Sequence, residues 1–178
     1  NLWIGCAKGL MRYNYETNHF TRLQFPDGRK PRIYSMVESH NGDILLGTAG
    51  YGLYSVKDRN TKKGTDNLFT IRQERQYAER DSDVFFTHIY EDKHHYLWQS
   101  SHFSIFTRFI KKQGKVQRKD FKSPCGAPVA FIQHRPQAML IACMYGIVYY
   151  DYRTGRIADA GYDFGGYQNN VTINNATF

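Results

Sequence analysis

The chain has 178 residues, of which 41% are hydrophobic and 16% aromatic, so it is long enough to bury the core of one domain. Charged residues make up 22%, a composition that argues against intrinsic disorder. No uncharged apolar run approaches the roughly 20 residues that a membrane-spanning helix requires. We therefore expect a folded chain that makes no membrane contact.

The formal net charge of +8 is concentrated in one segment. Seven Lys and Arg residues between Arg108 and Lys122 face a single acid, Asp120, which gives this segment a charge of +6. Proteins that bind nucleic acid usually spread basic and aromatic residues over a whole face, so we predict no nucleic-acid partner. The pattern favours a solvated strand-turn-strand, and an acidic ligand or a membrane surface is the alternative.

Four segments of the chain repeat one another. They begin at Leu2, Ile44, Leu97 and Met139, with spacings of 42, 53 and 42 residues. In each, a short apolar strand ends in a small residue and a tight turn, and an aromatic-rich strand follows. A period near 42 residues with β-type composition is the length of one four-stranded propeller blade.

The repeat predicts an all-β fold, a β-propeller fragment of about four four-stranded antiparallel blades that does not close by itself. The predicted units span residues 1–25, 33–73, 85–121 and 129–160, and residues 169–178 are predicted to form the first strand of a further blade. Bare strand edges invite pairing. We therefore expect the protein to continue on both sides, or its last strand to pair with the first blade in the same chain or in a partner.

Small residues occupy one register of the repeat, where a bulky side chain would collide with the neighbouring sheet. These positions are Gly5, Gly47, Ser100 and Ala142. The apolar residues before them are expected to fill the space between blades. Trp3 and Trp98 are therefore predicted to pack between blades rather than to bind a ligand.

No cofactor, metal or catalytic group is predicted. The three cysteines, Cys6, Cys125 and Cys143, fit neither a zinc site nor a disulfide framework and are expected to be free thiols. The nearest approach to a metal-ligand cluster is weak, because its spacing is neither helical nor of the paired-cysteine type; it comprises His88, Glu91, His94 and His95. The sequence contains neither a Ser-His-Asp arrangement nor a carboxylate pair that would predict an enzyme.

Residues 1–14, Asn-Leu-Trp-Ile-Gly-Cys-x-x-Gly-Leu-x-Arg-Tyr-Asn, resemble the two-component regulator propeller repeat. Gly47-Thr48 with Gly52-Leu53 repeats the pattern, as does the segment 146–151, whereas residues 99–103 depart from it. The resemblance implies the periplasmic sensor region of a Bacteroides-type hybrid histidine kinase, in which propellers sense polysaccharide fragments. The chain would then be a non-catalytic sensor segment, with flanking propeller domains or a second copy of itself as partner.

In a propeller, the turns between second and third strands and the connectors between blades open on one face. The residues predicted to bind a glycan fragment there are Lys8, Tyr51, His102, Phe103 and Tyr145. The connectors are residues 26–32, 74–83, 122–128 and 162–168. Two alternatives stay open, a scaffold propeller that binds protein and a propeller lyase or glycosidase.

Overall fold

The computed structural model describes residues 1–58, 69–78, 84–101 and 103–160. In these ranges every regular element is a β-strand, apart from a single 3₁₀ turn at Arg75–Tyr77. The strands form four antiparallel sheets, so the predicted all-β class and blade architecture are confirmed. The chain divides into two compact units, unit 1 at residues 1–89 and unit 2 at residues 90–178.

The first two sheets lie in unit 1. The first has three strands in chain order: β1 (Leu2–Cys6), β2 (Gly9–Asn14) and β3 (His19–Arg22). The second has four: β4 (Ile33–Glu38), β5 (Ile44–Thr48), β6 (Leu53–Asp58) and β7 (Phe69–Gln73). The first sheet thus has one strand fewer within the described residues, and the strand predicted for residues 169–178 lies outside them.

The third and fourth sheets follow the same order. The third contains β8 (His88–Glu91), in which the boundary between the units falls, β9 (Leu97–Ser100), β10 (Ile105–Lys112) and β11 (Lys115–Lys122). The fourth contains β12 (Pro128–Arg135), β13 (Ala138–Cys143), β14 (Gly146–Asp151) and β15 (Arg156–Asp159). No helix in the described part of the chain is long and apolar enough to cross a membrane.

Close approach between segments explains the glycines in the small-residue register of unit 1. A Cβ added to Gly5 would lie 2.8 Å from the Cγ2 atom of Ile33 in the second sheet. A Cβ added to Gly47 would lie 2.5 Å from the backbone oxygen of Phe86. Real Cβ atoms do not come this close to other heavy atoms, so only glycine fits both positions without a shift.

The two tryptophans pack against neighbouring sheets, as predicted. The Trp3 ring meets the edge of Phe69, with centroids 5.0 Å apart. Trp98 is fully buried, and its ring centroid lies 4.8 Å from that of Tyr150 in the fourth sheet and 6.1 Å from that of Phe131. Aromatic burial of this kind supplies much of the packing energy of a core.

Each tryptophan also faces an arginine across its own hairpin. Trp3 pairs in register with Arg12, and Trp98 pairs with Arg108. The Arg12 guanidinium lies 4.8 Å from the centre of the Phe69 ring. The Arg108 guanidinium lies 5.7 Å from the centre of the Tyr150 ring and donates a hydrogen bond to the Tyr150 hydroxyl.

This packing corrects the expectation for the basic segment, which is not a purely solvated strand-turn-strand. Its hairpin is β10–β11, but Arg108 is half-buried among aromatic rings. Lys119 donates to the backbone oxygen of Gly155 at 3.3 Å and lies over the Phe121 ring. Two of the seven cations therefore tie the third sheet to the fourth.

Unit 2 also contains a buried carboxylate, Asp92, in the turn between β8 and β9. It is 3% exposed and accepts hydrogen bonds from two side chains, Trp98 Nε1 at 2.7 Å and the Tyr152 hydroxyl at 2.8 Å. The backbone N–H groups of His94 and Tyr96 donate to its other oxygen. A buried charge needs such partners, and here they join the third and fourth sheets.

Candidate functional site

The predicted ligand-binding residues lie in equivalent turns of the four sheets. Lys8 is in the β1–β2 turn, Tyr51 in β5–β6, Phe103 in β9–β10 and Tyr145 in β13–β14. His102 lies outside the described residues. Each of these residues follows a strand of the repeat by a few positions, so the period of the sequence is enough to predict that they occupy equivalent turns.

In unit 2, two of these turns are held by one connector, residues 123–127, which we call the short connector. The backbone N–H of Ser123 donates to the carbonyl oxygen of Ser104 at 2.7 Å, next to Phe103. The N–H of Tyr145 donates to the carbonyl of Cys125 at 2.9 Å, and that of Met144 to the carbonyl of Ala127 at 3.0 Å. The structure therefore attaches both turns to the same five residues.

The two turns that the short connector holds each present one aromatic side chain to solvent. Phe103 is 71% exposed and Tyr145 is 74% exposed. The Tyr145 ring nevertheless lies against Gly126, where an added Cβ would come within 2.7 Å of the ring. Gly126 also has a φ of 83°, in the left-handed region that favours glycine. One face of the tyrosine is thus supported while most of the ring stays accessible.

The cysteines beside this connector are structural. Cys125 and Cys143 are buried free thiols, as predicted, and the Ser123 hydroxyl donates to Cys143 Sγ at 3.2 Å. Cys6 is also free but only half-buried, because β1 is less covered than the equivalent strands β5 and β13.

In unit 1 the equivalent segment, residues 23–32, is longer, and we call it the basic connector. The N–H of Leu23 donates to the carbonyl of Leu10 at 2.9 Å, and the N–H of Ala49 donates to the carbonyl of Arg32 at 3.1 Å. These two bonds match the two that hold the short connector at its ends. The extra residues between them form a loop that includes a Gly28 turn, whose N–H donates to the Phe25 carbonyl.

The basic connector and the β1–β2 turn enclose a cleft of about 50 Å³, room for only a few water molecules. Its lining includes four cationic residues: Lys8, Arg22, Arg29 and Lys30. Of these, sequence reasoning identified only Lys8. Arg29 and Lys30 fall in the stretch 26–32, which is predicted as a connector but not as one wall of a charged cleft, whereas Arg22 is the last residue of β3 and has no sequence signal.

One acid, Asp27, lies beside this cleft, and it is already engaged. It forms an ion pair with Arg29, Nε to Oδ2 at 3.1 Å, and accepts from the Tyr54 hydroxyl at 3.5 Å. Burial, together with the Asp27 charge, raises the pKa of Tyr54. The Arg29 guanidinium lies 5.1 Å from the centre of the Tyr51 ring, so a second predicted residue borders the cleft.

Of the residues considered as metal ligands, His95 and Glu91 lie together, whereas His94 contacts an aromatic ring. His94 lies over the Tyr152 ring, with centroids 4.7 Å apart, and His95 Nδ1 lies 3.4 Å from a Glu91 oxygen. His95 adopts a φ of 60° in the turn. These contacts account for His94 and His95 as turn residues of the third sheet.

No family model matches the chain, and no curated protein matches it. Solved structures do. A catalytically inactive virginiamycin B lyase from Staphylococcus aureus, solved with quinupristin, is 16% identical with a TM-score of 0.61, over 86% of this chain and 48% of the lyase. The extracellular domain of the proposed hybrid two-component system BT3049 from B. thetaiotaomicron is 14% identical with a TM-score of 0.60, over 90% of this chain and 20% of that one.

These similarities show the fold. The chain spans about half of the lyase and a fifth of the sensor domain. The propeller architecture implied by the resemblance to two-component regulator repeats is therefore confirmed, and a sensor domain of that kind is among the structures that share it.

Proposed function

We propose that the chain is a non-catalytic sensor segment of a hybrid two-component system, which recognises a polysaccharide fragment in the periplasm and relays the signal to a kinase elsewhere in the parent protein. Two observations support a sensor: the repeat resembles two-component regulator propellers, and the fold resembles an extracellular domain of such a system. Flanking propeller domains or a second copy of the chain would be its partners.

The observation that carries glycan recognition is the pair of exposed aromatic side chains in the two turns that the short connector holds. Sugar rings have apolar C–H faces that pack on aromatic rings, while their hydroxyl groups need hydrogen-bonding partners nearby. Phe103 and Tyr145 supply accessible rings, 71% and 74% exposed. The backbone of residues 123–127 holds the two turns that carry these rings.

Signal relay requires that the ligand bind two arrangements of the sensor with different affinity. A glycan that contacts turns belonging to two blades meets this requirement, because any change in the spacing of those blades changes its contacts. The short connector is the segment through which such a change reaches both turns.

Isothermal titration of the full chain against a panel of neutral and acidic oligosaccharides tests the proposal. The double variant F103A/Y145A is expected to weaken binding by tenfold or more, since each stacking contact contributes about 1 kcal/mol. The matched control, Y15A/F20A, removes two other aromatic residues that are each 61% exposed and should leave affinity unchanged. A panel in which nothing binds would contradict glycan recognition and favour a protein-binding scaffold.

A propeller lyase is the second candidate, because the fold of virginiamycin B lyase covers 86% of this chain. Release of reducing sugar from the same panel, and loss of intact quinupristin measured by mass spectrometry, would reveal it. Turnover that survives heating or appears equally without the protein would not count as activity.

A further inference from the structure

We propose that the cleft of the basic connector binds one anionic group, a carboxylate or a sulfate, carried on the oligosaccharide. The inference rests on the proposed function and adds to it the chemical class of the ligand. It gives unit 1 a binding region of its own, whose chemistry differs from that of the aromatic turns of unit 2.

The balance of charge in the cleft points to an anion. Arg29 is paired with Asp27, whereas Lys8, Arg22 and Lys30 have no ion pair among the residues that the structure describes. Three uncompensated cations around one small space repel each other and attract a negative group. An anion there gains charge-assisted hydrogen bonds, which are the stronger kind.

The size of the cleft limits what enters it. Pockets for whole small molecules usually hold several hundred Å³, whereas this cleft holds about 50 Å³. A carboxylate or sulfate group fits, but a sugar ring must stay outside. Tyr51 is 36% exposed and stacks with Arg29 at the border of the cleft, so it offers a ring beside the place where the acidic group enters.

Backbone hydrogen bonds anchor the connector that forms one wall of the cleft. The two hydrogen bonds that hold Leu23 and Arg32 anchor the ends of the connector, and the N–H of Arg29 donates to the side chain of Asp27 at 3.1 Å. Arg29 and Lys30 therefore project from an anchored loop, while Lys8 lies in a hairpin turn and Arg22 ends strand β3, so binding does not have to order the chain around the cleft.

Two matched ligand pairs test the inference on the full chain: an oligogalacturonate against its methyl ester, and a sulfated oligosaccharide against its desulfated form. We expect the acidic member of at least one pair to bind about tenfold tighter, as one added charge-assisted hydrogen bond would give. The preference should fall as salt increases.

Variant K8A/K30A should abolish that preference, whereas the control K111A/K112A, which removes two exposed lysines of the β10–β11 hairpin, should retain it. Equal loss in both variants, or equal affinity within both pairs, overturns the anionic site but leaves glycan recognition standing. Absence of binding to any of the four ligands overturns glycan recognition as well. Thermal melting of both variants checks that the fold is unchanged.

Discussion

The two units build the same turn from different side chains. In unit 2, the N–H of Asp92 donates to the Tyr96 carbonyl and the N–H of His95 to the Asp92 carbonyl; in unit 1, Ser39 makes the corresponding pair with Asp43 and Gly42. The backbone frame is shared, but the first residue is a buried carboxylate in one turn and a half-buried serine in the other.

The two connectors, like the two turns, share backbone hydrogen bonds and differ in their side chains. The short connector of unit 2 is small and mostly apolar, and its own Cys125 and the neighbouring Cys143 are buried. The basic connector of unit 1 has the same end anchors but surrounds a cleft with cations. The two units therefore share their backbone hydrogen bonds and differ in their side chains. Side chains link the two sheets of unit 2 to each other, whereas in unit 1 they surround a cleft with cations.

Alkaline pH should separate the units most strongly. Burial raises the pKa of three tyrosines of unit 2, Tyr90, Tyr150 and Tyr152, above the ordinary 10.0, and a hydrogen bond to Asp92 adds to the effect at Tyr152. In unit 1 the same holds for Tyr54 alone among the described residues. Because the neutral form is favoured in the fold, this stability is complete below pH 10.0 and is lost as the pH rises above it.

We expect the unfolding free energy of unit 2 to fall as the pH rises above 10.0, with Tyr90, Tyr150 and Tyr152 all contributing in the same direction. Urea unfolding of a W3F chain, followed by the fluorescence of Trp98, measures this at pH values on either side of 10.0. In the variant W3F/Y152F, the unfolding free energy should fall less steeply with pH, because one fewer buried hydroxyl is involved. A urea midpoint that does not change with pH would contradict the burial of these hydroxyls.

Removing the buried carboxylate tests the difference between the two turns. D92A removes the acceptor of Trp98 Nε1 and the nearer acceptor of the Tyr152 hydroxyl, and we expect a loss of about 3 kcal/mol. The matched change in unit 1, S39A, should cost less than about 1 kcal/mol. Hydrogen exchange resolved on peptides from each unit measures both, and similar losses would show that the turns are equivalent in energy as well as in backbone.

The sequence alone was enough to predict the β-strands and their arrangement in blades. The period, the glycine turns and the alternation of apolar residues predicted the strands to within a few residues, because these features are local and repeat. The small-residue register also predicted the close approaches at Gly5 and Gly47.

The cleft and the buried network were beyond sequence reasoning, because they depend on contacts between residues far apart in the chain. Asp92 and Tyr152 are 60 positions apart and have no spacing signature. Arg22 and Lys30 read as ordinary surface charge until the fold places them beside Lys8. Arg108 was interpreted as solvated for the same reason, since its aromatic neighbours come from two sheets.

Changing the size of a side chain in the small-residue register should lower the unfolding free energy by less than D92A does. G47A places a Cβ 2.5 Å from the Phe86 oxygen, and the backbone must shift, so we expect a loss of about 2 kcal/mol. The equivalent position of the fourth sheet, Ala142, already accommodates a Cβ. The reverse change, A142G, should therefore cost only about 1 kcal/mol, from backbone entropy and a small cavity. Urea unfolding measures both, and a neutral G47A would contradict the close approach.

The arginine opposite each tryptophan is the feature that the two units share most closely, so it should give the smallest difference between them. Replacing Arg12 or Arg108 by methionine keeps apolar bulk and removes the cation over the aromatic ring; in R108M the buried Tyr150 hydroxyl also loses its hydrogen-bond donor. We expect R12M to lose about 1 kcal/mol, within the range for partly desolvated cation–π contacts, and R108M about 1 to 2 kcal/mol. The control K111M changes an exposed cation of the same hairpin and should lie within about 0.5 kcal/mol of the unchanged chain. If R108M lowers the unfolding free energy and R12M does not, the Trp–Arg pair stabilises unit 2 alone. The same pair of residues would then occur in both units but contribute to stability in only one.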